Sequence, residues 1–154
     1  MTRHTTVVVV LILLAAASVQ AQRIEIRSLG SRPHAAGPTE NFTGVVFIEA
    51  LFAATEDTRA SAGHVAFTPG ARTAWHTHPA GQTLIVTSGV GWVQEWNGGR
   101  REIKTGDVVW TPPGVKHWHG ATSTNGMAHI AIQEHVAGRV VEWMELVTDE
   151  HYER

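Results

Sequence analysis

The chain has 154 residues with 43% hydrophobic and 17% charged side chains, which suits one packed domain and leaves no room for two. Lys plus Arg number 12 against 14 Asp plus Glu, a net charge of -2, so the basic footprint of a nucleic-acid binder is missing. With no cysteine, disulfide scaffolds, thiolate metal sites and cysteine nucleophiles are excluded, while 10 histidines and 6 tryptophans stand out in so short a chain.

In chain order, Met1–Thr6 carries Arg3 and no acid, and Val7–Ala17 is an unbroken apolar run. Val19-Gln20-Ala21 then offers short side chains where a signal peptidase reads. That order is the pattern of a secretory signal, and the apolar run falls well short of the roughly 20 residues that cross a bilayer. The expectation is an exported protein, periplasmic or secreted, cleaved after Ala21. Residues 22–43 hold Gly30, Pro33, Gly37 and Pro38 and read as an irregular arm with a short strand at Ile24–Arg27.

From residue 44 to 136 short apolar or alternating runs are separated by glycine and proline. Strands are predicted at Gly44–Leu51, Gly63–Thr68, Thr73–His78, Gln82–Thr87, Gly91–Trp96, Arg101–Ile103, Asp107–Thr111, His117–Ala121 and Met127–His135. Turns fall at Pro69-Gly70, Asn97-Gly98-Gly99, Thr105-Gly106 and Pro112-Pro113-Gly114. Spacing of about 8–12 residues per strand favours an all-β sandwich or barrel over strand–helix alternation. Residues 137–154 form a C-terminal segment, and Val140–Val147 reads as a short helix with Val141, Trp143 and Met144 on one side. Arg72 and Lys116 read as surface charges, His135 as a surface residue near a strand end. Trp75, Trp110 and Trp118 read as core or as an aromatic pocket wall.

Two histidine pairs carry the chemistry. His76-Thr77-His78 places two imidazoles at i and i+2, which leave one face of an extended strand. Gln82 follows the Pro79-Ala80-Gly81 turn, so its amide oxygen can return to that face. His117-Trp118-His119 repeats the arrangement on a second strand. Two histidines, a side-chain oxygen and a third histidine from the other strand make a nitrogen-rich site for a divalent transition metal. The plainer alternative is scattered solvated or core histidines. On the last long strand Met127, His129, Ala131, Gln133 and His135 share a face by the period of two. His129 and Gln133 then form a polar strip, with a hydrogen-bonded structural pair as the alternative.

The flanking residues favour the metal. Gly70, five residues, His76-Thr77-His78, three residues, Gln82, six residues, Gly89 resembles the first motif of the cupin family, with Gln82 where a Glu is usual. Gly106, five residues, Pro112-Pro113-Gly114, two residues, His117 resembles the second, with Ala121 where the family has Asn. The resemblance implies a single-domain all-β jelly-roll barrel with its metal inside, near one mouth. Gly70–Pro79, Gly81–Thr87, Gly91–Gln94, Gly106–Trp110, Lys116–Gly120, His129–Glu134, Trp143–Glu145 and Val147–Glu150 look like the bacterial manganese-dependent cupin hydroxynitrile lyases. That resemblance implies metal ligands His76, His78, Gln82 and His117, and an Mn2+ ion, with Fe2+, Zn2+ or Ni2+ as alternatives. It implies pocket roles for His119, His129 and Gln133, and small pocket-lining residues at Gly63 and Val65.

A Gln in place of Glu leaves the dication charge uncompensated, which favours Lewis-acid chemistry over oxygen activation. The expected reaction is cleavage of a cyanohydrin to an aldehyde or ketone plus cyanide, or its reverse. His119 and His129 would serve as acid/base or hydrogen-bonding groups and Gln133 would orient. Two other readings stay open: a metal oxygenase or isomerase on a small metabolite, and a non-catalytic exported module that binds a metal or ligand. The expected partners are a small-molecule substrate and further copies of the chain, a dimer or tetramer paired through strand edges and the arm. Neither nucleic acid nor, after signal removal, membrane is expected.

Overall fold

The computed structural model describes residues 23–28 and 30–154, so the expected signal segment Met1–Ala21 lies outside the described residues. Short alternating runs between glycine and proline turns produce β1 (His34–Ala36), β2 (Phe42–Thr43), β3 (Val46–Phe52), β4 (Ala60–Phe67), β5 (Arg72–Thr73) and β6 (His76–Thr77). Then come β7 (Gln82–Glu95), β8 (Arg101–Lys104), β9 (Val108–Thr111), β10 (His117–Ala121), β11 (Met127–Glu134), β12 (Glu142–Trp143) and the helix α1 (Asp149–Glu153).

Every pairing is antiparallel, and two sheets share β7. The first runs β1-β3-β4-β11-β7-β9. In the second, the far half of β7 pairs β8 on one side and β10 on the other. β10 continues to β5 and β2, and to β6 and β12. One long strand passing from sheet to sheet is what curls the structure into a barrel. Its bend needs Gly89, whose φ is 76° and whose hypothetical Cβ would lie 2.0 Å from the Gly126 carbonyl oxygen. Thr87 is the extra residue of the bulge beside it, since Val86 and Ser88 pair the consecutive His129 and Ala128.

Several sequence expectations are corrected by the structure. Gln82–Thr87 and Gly91–Trp96 are halves of a single strand, because Gly89 bends the chain without breaking its ladder. Ile24–Arg27 forms no strand; the arm contributes β1 and β2 instead, where backbone partners exist on β3 and β5. Val140–Val147 is extended, not helical. The free edge of β6 captures it as β12, and Trp75 exchanges further backbone hydrogen bonds with Met144 and Glu145. Arg72 is buried, not a surface charge: its guanidinium donates to the Val147 carbonyl (2.9 Å) and Asp149 (2.6 Å) and stacks on Tyr152.

The inner faces of both sheets meet in a core of Phe42, Val46, Val65, Phe67, Val86, Val93, Ile103 and Met127. A second cluster of Trp75, Trp118, Val147 and Tyr152 forms where the C-terminal segment lies against the back of β10. β10 is therefore covered on both faces, and all five of its residues are buried. Trp75 and Trp118 are core. Trp110 is neither core nor pocket wall; it stands on the outer face of β9.

Candidate functional site

The site grows from the pairing of β6 with β10, which sets His76 opposite His117. Alternation then turns His117 and His119 to the barrel interior and Trp118 to the C-terminal cluster, which is why the His-Trp-His run is buried throughout. Gly81 (φ 80°) closes the turn after His78 against Thr111 and Trp110, with no space for a Cβ, and so delivers Gln82 to the same interior.

The imidazoles are held by an unusual number of backbone carbonyls. His76 Nδ1 donates to Ala74 (2.9 Å), His78 Nδ1 to Val140 (2.7 Å) and His117 Nδ1 to Val115 (2.9 Å). Each bond places the proton on Nδ1 and leaves Nε2 as a lone pair, the arrangement by which a protein presents histidine to a metal. The Nε2 of His78 is buried with no partner, and that of His117 lies 3.2 Å from Gln82 Oε1. Two lone pairs facing each other without a proton between them is a poor contact on its own and a good one around a shared cation. Ring centroids of His76, His78 and His117 are 4.2 to 5.7 Å apart. His119 also reaches the group: one ring nitrogen each from His76, His117 and His119 lie within 4.8 Å of one another, a cluster able to hold a metal ion.

His119 has a second engagement. Its Nδ1 lies 3.1 Å from Nε2 of His129, and His129 Nδ1 is buried without a partner. If His119 donated, an N–H of His129 would be orphaned; if His129 donates, only a lone pair is. The second is the less costly arrangement. Burial pushes His76 and His119 well below the ordinary histidine range, with neighbouring imidazoles adding to the effect. Burial lowers His78 as well, pushes His117 down to about 4 and His129 down to about 3. All five rings are neutral at pH 7.

These groups open on a cavity of about 170 Å³. For scale, an apolar protein cavity of about 150 Å³ holds benzene. The register of β11 against β4 builds one wall from facing pairs: His129 with Val65, Ala131 with Gly63, Gln133 with Ser61. Gln133 donates to Ser61 Oγ (3.4 Å), which also meets His135 Nε2 (3.2 Å). Half-buried at the strand end, His135 is not a free surface residue.

The structure thus brings His76, His78, Gln82, His119, His129 and Gln133 to one cavity, with His117 directly behind Gln82. Gly63 and Val65 line it as expected. Sequence reasoning missed the roof, which is Val140, Val141 and Trp143 with Phe42 and Ile48 beside them. Trp143 was legible only as part of a helix; its pairing with His76, far away in the chain, carries no local signal.

A family model for the cupin domain matches residues 63–132. The (R)-mandelonitrile lyase of Granulicella tundricola is 55% identical over 131 residues, covering 85% of this chain and all of that protein. Among solved structures, a cupin-like protein from Thermotoga maritima superposes with a TM-score of 0.73 at 42% identity, covering 82% of this chain and 95% of that one. A polyketide cyclase from Streptomyces resistomycificus superposes at 0.65 with only 12% identity, covering 85% of this chain and 92% of that one, a likeness of fold alone. Motif spacing, a barrel closed by one shared strand, an interior histidine cluster and these similarities agree: the chain belongs to the cupin family.

Proposed function

We propose that this cupin is a metal-dependent hydroxynitrile lyase, cleaving cyanohydrins to an aldehyde or ketone plus hydrogen cyanide and able to run the reverse. The observation that carries the reading is the neutral His119–His129 pair, placed beside three carbonyl-anchored imidazoles in a cavity sized for one small molecule. The named activity of the Granulicella tundricola relative supports it.

His76, His78 and His117 through Nε2, with Gln82 through Oε1, form the ligand set that the hydrogen bonds favour. His119 is the weaker candidate, because its Nδ1 accepts from His129 and its remaining proton then sits on Nε2. Neutral nitrogen donors and an amide oxygen suit Mn2+, Fe2+, Zn2+ or Ni2+, with Mn2+ the ion implied by the family resemblance. When bound, such an ion supplies Lewis acidity at the substrate oxygen or nitrile.

The chain's own part is proton handling and orientation. His129, whose ring lines the cavity and whose Nδ1 has no partner in the chain, accepts the cyanohydrin hydroxyl proton. As the carbon–carbon bond breaks, the carbonyl forms and cyanide leaves with the bonding pair. The depressed basicity of both rings keeps an imidazolium from persisting, so the proton passes on to cyanide and hydrogen cyanide departs. Gln133, held by Ser61, orients the substrate, while Val65, Ala131, Trp143 and Ile48 exclude water from the apolar side. The leader reading adds that the mature protein begins at Gln22 and works outside the cytoplasm, which intact mass from the native host tests.

The deciding experiment loads the protein with Mn2+ and measures cyanide release from mandelonitrile. The wild type should release cyanide, and His76→Ala or His117→Ala should lose metal and activity together. A metal-loaded wild type inert toward aromatic and aliphatic cyanohydrins alike would end the lyase reading and leave the fold assignment intact.

A further inference from the structure

The cavity takes its chemistry and its shape from different parts of the chain. Its imidazoles and Gln82 lie within residues 63–132, the stretch that matches the family model. Of the six large apolar side chains on the cavity, Phe42, Ile48, Val65, Val140, Val141 and Trp143, only Val65 lies in that stretch. Both aromatic rings of the lining other than imidazoles, Phe42 and Trp143, come from the flanks, one before the matched stretch and one after it.

The two rings are not equivalent. Phe42 is buried and belongs to the core, where it packs on Phe67 at 6.4 Å. Trp143 is only half-buried, yet its backbone is fixed by the pairing of β12 with β6 and by the bond from the Met144 N–H to the Trp75 carbonyl (2.8 Å). Its ring meets Phe42 edge-on at 5.5 Å and tilts over His76 at 4.8 Å. An indole held on both sides in this way is a rigid wall, and aromatic rings pack against such a wall in edge-to-face or offset arrangements.

We infer, resting on the lyase reading above, that Trp143 is a specificity-determining residue: its indole receives the substituent of the cyanohydrin that does not react, and the space beside it admits one unfused aromatic ring. The hydroxyl and nitrile of a cyanohydrin need the polar lining, where His119 and His129 lie, so the substituent is left with the apolar lining. Size sets the limit. A volume of about 170 Å³ is close to the cavity of about 150 Å³ that holds benzene, so a second fused ring has no room while the indole is in place. The substituent is the same before and during bond breaking, so its contact with Trp143 acts on KM and leaves kcat alone.

The test compares the metal-loaded wild type with Trp143→Leu, Trp143→Phe and a control, Leu146→Ala, which changes an exposed side chain of the same segment outside the cavity lining. Cyanide release is measured from mandelonitrile and from the cyanohydrin of 2-naphthaldehyde, and binding of benzyl alcohol is followed separately by ligand-observed NMR. Trp143→Leu should raise KM for mandelonitrile and weaken benzyl alcohol binding about tenfold, with kcat held within about threefold. Its kcat/KM for the naphthyl substrate relative to the phenyl one should rise by about tenfold or more. Trp143→Phe should restore most of the phenyl preference, and Leu146→Ala should match the wild type. A Trp143→Leu protein that keeps the wild-type substrate ratio and benzyl alcohol affinity overturns the inference, as does a wild type that binds no benzyl alcohol. So does a fall in metal content, which would make the indole a support for His76 instead. A wild type that cleaves no cyanohydrin ends the lyase reading, while benzyl alcohol binding that still depends on Trp143 upholds the ring site.

Discussion

His76, His78 and His117 each commit Nδ1 to a carbonyl, and this distinguishes them from His119, whose Nδ1 serves His129. The distinction is testable, because the four rings are otherwise close neighbours. His119→Ala should retain near wild-type metal content, since the three carbonyl-anchored rings and Gln82 survive. Removing one acid/base group should lower the rate of cyanide release by about 10²–10⁴. Metal content and rate measured on the same preparation separate the roles; a variant that loses its ion would place His119 among the ligands.

At the scale of elements, the segment that carries β12 couples the site to its roof. Val140 accepts the His78 Nδ1 proton, Glu142 and Trp143 pair with Thr77 and His76, and Val140, Val141 and Trp143 roof the cavity. Just before it, Ala137 (φ 50°) and Gly138 (φ 76°) make a tight exposed turn closed by the Val136–Arg139 bridge. A metal held by Nε2 of His78 would polarise the Nδ1–H and strengthen its bond to Val140. Trypsin should therefore cut after the exposed Arg139 several-fold faster in chelator-treated protein than in metal-loaded protein. Equal cleavage rates in the two states would show that roof and ligand are independent.

For the molecule as a whole, a barrel filled with neutral histidines must be sensitive to acid. The folded pKa of His129 is pushed down to about 3 by burial, against an ordinary value near 6.5. The unfolded chain therefore binds the proton first, so this stability is fully present above about pH 6.5 and is lost as pH falls toward 3. For His129 alone the loss by pH 5 is on the order of 2 kcal/mol. His76, His78, His117 and His119 shift in the same direction. Chelator-treated protein should melt at a clearly lower temperature at pH 5 than at pH 7.5, and His129→Asn should shrink the difference. A melting temperature that does not change between those pH values would contradict the neutral burial of these rings.

Sequence by itself determined the all-β class, most strand positions and the candidate donors. Those features rest on local rules: alternation with a period of two, glycine and proline at turns, and histidines at i and i+2 on an extended chain. His76, His78, Gln82, His117, His119, His129 and Gln133 were legible for that reason. Tertiary structure alone decided what depends on partners distant in the chain. Val140–Val147 has a helix-compatible pattern and is extended because β6 offers it an edge. Arg72 is buried because Val147 and Asp149, distant in the chain, come back to meet it. The proton positions on the imidazoles follow from carbonyls that only the folded backbone brings within reach, and one of these, Val140, lies 62 residues from the ring it holds.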